Sequence, residues 1–414
     1  MEVLHQRCAG IDVSKRDAKV CLRVQGGRRH PTTRTVTTWG ATIADILALR
    51  EMLLAARVDA VVMESTSNYW KPLYYVLEDA FAVQLVNARE AKNVPGRKTD
   101  VSDAEWLADL GAHGLVRASL VPPPPIRQLR ELTRLRTTVL RDRTRELQRL
   151  EKLLEEAQIK LSSVVTDLNG LSSRAILAAL AAGESDPVAL AGLARGKLLA
   201  KRDALIAALR GAPVSDHHRY LIGLHLRRID AHTADAADLT VRIEEAMAPF
   251  HTLRELMVSI PGISADLATM IIAEIGDDIS MFPTAQHLVS WAGVAPGSNE
   301  SAGRAKPATV RPGNRHLKGA IGIAALAATR SKNTFLAARY RRLVARRGKM
   351  RALVAIERSI LTAIWHMLTT GTYYQDLGGD YYSRYHPARA TRRALRDLRA
   401  AGYQVTLTPL PTAS

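Results

Sequence analysis

Between Lys98 and Leu110 the chain reads K-T-D-V-S-D-A-E-W-L-A-D-L, with Asp100 and Asp103 three residues apart. Ala104, Leu107 and Leu110 follow a helical period, and residues three apart on a helix share a face, so the two carboxylates would point the same way. Like charges held that close repel unless something positive sits between them, and a hard divalent cation with oxygen ligands meets that need. The plainer reading is that Ser102 or Asp100 caps a helix while the other acids face water. Two further acids close short apolar runs: Asp12 follows Cys8-Ala9-Gly10-Ile11, and Glu64 follows residues 58–63. An acid at a buried strand end is costly unless paired or metal-bound. Four of them together would hold one or two magnesium ions, able to orient a phosphate and stabilise the leaving oxygen of a phosphodiester.

A second stretch, from Trp291 to Lys318, is rich in glycine, serine and cations: W-A-G-V-A-P-G-S-N-E-S-A-G-R-A-K, then R-P-G-N-R-H-L-K. It predicts an ordered loop leading into a helix near Asn314. Glycine beside serine lets backbone approach a phosphate, and Arg304, Lys306, Arg311, Arg315 and Lys318 would neutralise it. A serine hydroxyl is a poor nucleophile until its proton is removed and cations stabilise the transition state, so from the residues alone Ser301 is a turn residue.

The elements that must position these groups can be read in order. Residues 8–13, 18–24 and 33–39 predict three strands; 41–56 a helix; 58–63 a strand; 70–79 a helix; 82–86 a strand; and the Asp100 segment a last helix. Three strands followed by strands wound with helices is the order of a ribonuclease-H-like mixed sheet, in which the first strand lies beside the fourth and the last helix packs across both. Asp12, Glu64, Asp100 and Asp103 would then converge. Pro122 to Pro125 reads as an extended spacer and a domain boundary.

Beyond it, Leu129, Leu132, Leu140, Leu147, Leu150, Leu154, Ala157 and Leu161 mark a long helix with a narrow apolar stripe, as in a coiled coil or helical hairpin. A helix over 220–247 would return antiparallel, with the alanine-rich residues 175–211 as short helices between. The first helix carries Arg127, Arg130, Arg134, Arg136, Arg141, Arg143, Arg145 and Arg149 against only Glu131, Asp142 and Glu146. That imbalance predicts nucleic-acid contact, with Arg136 and Arg143 interrupting the stripe. Ser259-Ile260-Pro261-Gly262-Ile263 before a helical run reads either as a helix-hairpin-helix-like phosphate-binding turn or as an ordinary turn. A basic helix over 335–349, an apolar one over 353–368 and a basic tail over 384–399 close the chain. The expected fold class is therefore α/β plus all-α, divided at 1–120, 121–250, 251–370 and 371–414.

Composition agrees with a polyanionic partner. The 414 residues carry a formal charge of +18, a sequence pI near 10.2 and an excess of arginine, whose planar fork suits phosphate. No apolar run approaches the roughly 20 residues of a membrane span, so a cytoplasmic protein with no membrane partner is expected. Cys8 and Cys21, the only cysteines, are too few for a zinc cluster and read as buried thiols on adjacent strands.

The set G-I-D-V-S-K, M-E-S-T-S-N-Y-W and K-T-D-V-S-D-A resembles the RuvC-like, four-acid domain of the insertion-sequence-110 family of transposases, which includes pilin-gene invertases and bridge-RNA-guided recombinases. The resemblance implies that Asp12, Glu64, Asp100 and Asp103 bind magnesium, that Lys98 and Arg97 contact phosphate, and that Tyr69 and Trp70 brace the sheet. G-S-N-E-S-A-G-R-A-K resembles the family's second signature, whose serine attacks DNA and carries a phosphoserine intermediate. By position that serine is Ser301. Many relatives have Ser-Gly where this chain has Ser301-Ala302-Gly303, which leaves Ser298 as a second candidate. The resemblance spans residues 7 to 335 and implies a DNA recombinase, a structured guide RNA, a homo-oligomer (dimer or tetramer) and a coiled coil that helps assemble it. The alternative is a RuvC-like, metal-dependent nuclease that hydrolyses branched DNA, with Ser301 structural.

Overall fold

The computed structural model describes residues 2–27, 29–88, 91, 94, 102–297, 300, 301, 303–305, 309, 310 and 312–408, with residues 301 and 305 described by their backbone. The chain divides into two compact units, Met1–Val121 and Pro122–Ser414.

The first unit is built on strands β1 (Arg7–Val13), β2 (Asp17–Val24) and β3 (Thr33–Gly40), helix α1 (Ile43–Ala55), β4 (Ala60–Glu64), α2 (Trp70–Leu77), β5 (Ala82–Val86) and α3 (Asp103–Ala112). The sheet order is β3-β2-β1-β4-β5. β1, β2 and β3 form an antiparallel meander, while β4 lies parallel to β1 and β5 parallel to β4. The first strand thus lies beside the fourth, as the element order predicted. Each buried strand sends alternate residues to opposite faces. Ala9, Ile11, Val61 and Met63 pack under α1 and α2 with Ile46, Leu49, Leu53, Leu73 and Leu77. Cys8, Ala60 and Val62 face Leu107 and Leu110 of α3. Cys8 and Cys21 are both buried thiols on adjacent strands, and burial pushes each up to about 12.

α3 lies on β1 at backbone distance. A Cβ on Gly10 would come 2.1 Å from the Ala104 carbonyl oxygen and 2.3 Å from the Ala108 nitrogen; one on Gly111 would meet Val62 and Cys8. Asp109 on the same helix accepts from Arg23 at 2.8 Å and Arg34 at 2.9 Å, tying α3 to β2 and β3. Of the two caps the sequence offers, α3 uses Ser102. Ser102 is extended at φ −64°, ψ 154° and caps the helix in a reciprocal capping box with Glu105. Asp100 lies outside the described residues, and with it the expectation that it shares a helical face with Asp103.

In the second unit α4 (Pro124–Glu156) starts inside the proline run that was read as an extended spacer, because proline fits the first helical turn, where amide hydrogens have no helical partner. Short helices α5 (Leu171–Ala181), α6 (Pro187–Gly192) and α7 (Arg202–Leu209) follow, then α8 (Asp216–Met247). α8 returns antiparallel to α4, since Arg136 bonds Thr240 (2.8 Å), Arg143 bonds Thr233 (3.5 Å) and Glu146 bonds His225 (2.8 Å). The two arginines that interrupted the apolar stripe therefore reach across the seam to hydroxyls. Leu150, Leu154, Ile176, Leu177, Leu205, Ile222 and Ile229 form a core at the tip, which is the packing role of the alanine-rich segment.

The remainder is helical: α9 (His251–Val258), α10 (Ala265–Ile275), α11 (Ala285–Trp291), a two-stranded hairpin β6 (Glu300–Ser301) and β7 (Arg304–Ala305), then α12 (Arg315–Arg330), α13 (Phe335–Arg347), α14 (Lys349–Thr370), α15 (Tyr381–Tyr385) and α16 (Pro387–Ala400). The Pro261-Gly262 turn is closed against α12: a Cβ on Gly262 would lie 2.5 Å from the Ala324 oxygen and the Ala328 nitrogen. It packs helices together, which favours the ordinary-turn reading over a helix-hairpin-helix phosphate site. Among the described residues α14 alone is long and apolar enough to cross a membrane, at mean hydropathy 1.2. Arg351, Glu357 and Arg358 interrupt its apolar sequence. Its Ile356, Ile360, Leu361 and Ile364 are buried, and it packs on α11, α12 and α13, as a core helix does.

Glu274, 3 % exposed at the end of α10, is the electrostatic centre of this unit. Arg134 grips both its oxygens at 2.7 Å, and Asn314 donates at 2.6 Å. Arg130 bonds the carbonyls of Ala273 and Glu274 at 2.8 Å each, satisfying helix-end acceptors. Burial raises the Glu274 carboxyl, but Arg134, Asn314 and Arg130 together hold it below its ordinary value.

Two predictions follow from these contacts. Gly10→Ala should overpack the α3–β1 contact and cost on the order of 1–3 kcal/mol or more, read as a lower urea midpoint with an unchanged slope; an unchanged midpoint would show that α3 rides elsewhere. Glu274→Ala should cost about 3–5 kcal/mol by leaving Arg134 without its partner. Because this carboxyl is depressed, its contribution is present above the ordinary value of 4.5 and is lost as pH falls through the lower folded value. Melting temperatures of the wild type and the variant should converge on acidification from neutral pH, and a constant gap would contradict the assignment.

Candidate active site

Three acids of the first unit lie along the end of the sheet at which β1 and β4 finish. Val62 is the register partner of Gly10 and Met63 that of Ile11, which sets Asp12 and Glu64 alongside each other at the carboxyl ends of β1 and β4. By strand alternation both lie on the face that α3 covers, two residues beyond Gly10 and Val62. α3 brings its N-terminal end to this edge: Asp103 is its first residue, and the next, Ala104, lies over Gly10. Asp12, Glu64 and Asp103 are each half-buried. The register and the helix placement bring three of the four predicted acids to one edge; the fourth, Asp100, lies outside the described residues together with Arg97 and Lys98. Among the described residues no three acidic, histidine or cysteine side chains stand close enough to hold an ion by themselves. Asp12, Glu64 and Asp103 offer carboxylate oxygens, the donor type that suits a hard divalent cation.

The chain leaves Glu64 through a tight turn. Ser67 sits at φ +49°, a left-handed value rare for a residue with a Cβ, and its carbonyl accepts from the Trp70 indole at 3.1 Å. Trp70 packs edge-on against Tyr74 at 5.6 Å and braces α2, whereas Tyr69 is 40 % exposed. The Ser67 turn escaped sequence analysis, since S-T-S-N carries no glycine to mark it.

In the second unit the segment read as a loop is a hairpin arm. Its base is pinched where a Cβ on Gly313 would lie 2.4 Å from the Ala292 carbonyl carbon and the Gly293 nitrogen. Pro296 bridges Val310, and Gly297 donates to the Thr309 carbonyl at 3.1 Å. The arm ends in the β6–β7 pair, in which Ser301 is the register partner of Arg304 and Gly303 turns at φ +75°. Ser301 is thus the last paired residue before the tip, with exposed Arg304 opposite it in register. Ser298, Lys306 and Arg311 lie outside the described residues. The arm runs into α12 at Asn314, whose side chain caps the amides of His316 and Leu317 while also donating to Glu274. Burial and the Arg134 cation hold His316 below its ordinary value.

The predicted phosphate-binding cations divide into two groups. Arg130 and Arg134 are committed to the end of α10 and to Glu274, so their place in the basic stripe reflects internal ion pairing. Lys318 is half-buried, with its charge acting on the buried Glu357. Arg141, Arg145, Arg304 and Arg315 are exposed, Arg145 beside Asp142 at 2.7 Å, and Arg127 is half-buried. Sequence reasoning missed the Glu274–Asn314 link. The available signal was a lone acid at the end of the apolar helix A-D-L-A-T-M-I-I-A-E-I.

Two family models match in the expected order. A DEDD transposase model of the IS110 group covers residues 9–159, which contain Asp12, Glu64, Asp100 and Asp103. The transposase model of the IS116/IS110/IS902 family covers residues 254–341, which contain the hairpin arm. The chain is 29 % identical over 322 residues to the insertion element IS900 uncharacterized 42 kDa protein of Mycobacterium paratuberculosis, covering 72 % of this chain and 75 % of that one. It is 31 % identical over 134 residues to the insertion element IS110 uncharacterized 43.6 kDa protein of Streptomyces coelicolor, a match spanning 31 % of this chain and 32 % of that protein. With both signatures inside their matched regions and a similar protein aligned along three quarters of its length, the chain belongs to the IS110 family of transposases.

Proposed function

We propose that this transposase cuts and rejoins DNA by strand transfer, with Ser301 as the nucleophile and Asp12, Glu64, Asp100 and Asp103 of a ribonuclease-H-like domain as the acids that hold magnesium. The observation that carries the reading is the pinched hairpin arm, which sets Ser301 at its tip in register with Arg304. A serine at a turn needs no such support, whereas a nucleophile must be held rigidly beside a cation to gain from proximity and charge stabilisation. In the reaction the Ser301 oxygen bonds to phosphorus as one strand P–O bond breaks, and the departing strand oxygen takes up a proton. A hydroxyl of the incoming strand then displaces the serine, which recovers its proton. One P–O bond forms for each that breaks, so no bond energy is lost to water.

Magnesium at the acid edge would supply charge neutralisation and activation of oxygen at the phosphate. Arg304, Lys306, Arg311 and Arg315 would neutralise the phosphate beside Ser301, and Arg127, Arg141 and Arg145 would follow the nucleic-acid backbone. Lys98 would contact phosphate beside the acids. A structured guide RNA and a homo-oligomeric assembly, dimer or tetramer, complete the proposal. The net charge of +18 supports a polyanionic partner.

The decisive test is Ser301→Ala. Strand joining should fall by at least about a thousandfold, and a denaturation-resistant protein–DNA adduct seen with the wild type should vanish. Continued cutting by this variant would favour the hydrolytic, metal-only nuclease. Asp100→Asn should abolish activity under either chemistry, as should chelation of divalent metal, with activity restored by magnesium; a fully active Asp100→Asn protein would remove the acid site.

A further inference from the structure

The matched family regions end at residue 341, within α13, and from that helix onward the chain carries a surface with its own chemistry. α13 holds five arginines and no acid, with Arg341, Arg346 and Arg347 exposed. Against its first turn packs the aromatic helix α15. Phe335 stacks on Tyr382 at 5.7 Å and meets Tyr381 edge-on at 5.1 Å, while the Arg342 guanidinium lies 4.4 Å above the Tyr382 ring. The Asp376 carboxylate accepts from the Phe335 amide at 2.9 Å and pins the connecting segment. The stack continues outward: Tyr385 lies parallel to Tyr381 at 5.7 Å and 16°, and is 67 % exposed.

α16 follows directly, with no buried residue. Its Arg389, Arg392, Arg393, Arg396 and Arg399 fall three, four, seven and ten residues along from the first, hence on one helical face. Asp397 pairs with Arg393 at 3.6 Å and Arg396 at 2.8 Å. Arg389, Arg392 and Arg399 have no acidic partner among the described residues.

Exposed arginines alone would suit any polyanion. An exposed ring anchored on a stack of others, beside those arginines, suits a polyanion whose bases are unpaired, because base faces in a duplex are already covered. Strand transfer, on which this inference rests, requires a cut strand to leave its complement before it joins another, and that step exposes unpaired nucleotides. We propose that α13, α15 and α16 bind single-stranded DNA, with Tyr385 as a stacking platform for a base and the α16 arginines along the phosphates.

The test uses the full chain and fluorescence anisotropy with a labelled thymidine oligonucleotide, a hairpin duplex, a uridine oligonucleotide and anionic vesicles. Tyr385→Ala should weaken binding of the thymidine oligonucleotide about tenfold and leave duplex binding unchanged, while Tyr385→Trp should retain or strengthen it. Arg389→Ala with Arg399→Ala should weaken binding of both DNA forms and reduce its salt dependence. Tyr385→Leu replaces the alanine variant should that fail to fold, because it keeps bulk and lacks the aromatic face. The proposal is overturned by unchanged thymidine affinity, by an equal loss on duplex, or by a Tyr385 dependence confined to the uridine oligonucleotide or the vesicles. An adduct at Ser301 with no effect of Tyr385 removes this surface alone; Tyr385-dependent binding with no adduct removes the serine chemistry alone.

Discussion

Helix α3 rests on β1 with backbone touching backbone, and the acid edge of the first unit depends on that contact. Gly10 has no Cβ to hold Ala104 and Ala108 away, so Asp103 at the head of the helix is brought to the edge where β1 and β4 end. The parallel register of β1 with β4 then sets Asp12 and Glu64 side by side. Any side chain at position 10 would push the helix away from the strand and carry Asp103 with it. Asp109 lies further along the same helix and serves a different purpose: bonded to Arg23 and Arg34, it fastens α3 laterally.

The second unit uses charge where the first uses close packing. In a chain with 58 Lys and Arg against 40 Asp and Glu, acids are scarce, and two are buried as hubs. Glu274 collects Arg134 and Asn314, and Glu146 collects His225 and Arg149. Burial works against the charge of each carboxyl, and the hydrogen-bonded partners more than offset it. Asn314 links the Glu274 hub to the head of α12 and so to the foot of the serine arm. The arm's position is thereby set from the long hairpin, through α10, rather than by its own short strands.

The strands of the first unit were legible because each is a short apolar run bounded by turn residues, and β5 was placed at its observed limits. The start of α3 was legible as one of two capping residues in D-V-S-D, and the extended backbone at Ser102 decides between them. The proline run was half understood: it marks the boundary between the two units and also begins the next helix. The arginine stripe was visible, but its division into internal and outward cations was not. Glu274 lies 140 residues from Arg134, and no local pattern announces such a partnership. The pinch at Gly313 and the register of Ser301 with Arg304 were equally hidden, since both are facts about backbone meeting backbone.

The seam between α4 and α8 crosses Arg136 with Thr240 and Arg143 with Thr233, at matching steps of seven residues. A seam of leucines alone would let the two helices slide by a heptad at modest cost, whereas here a slide would also break the bonds of Arg136 to Thr240 and Arg143 to Thr233. The hairpin therefore behaves as a ruler. Its 33-residue first helix spans roughly 50 Å at a rise of about 1.5 Å per residue. Whatever is gripped at its two ends stays separated by on the order of one and a half turns of B-form duplex.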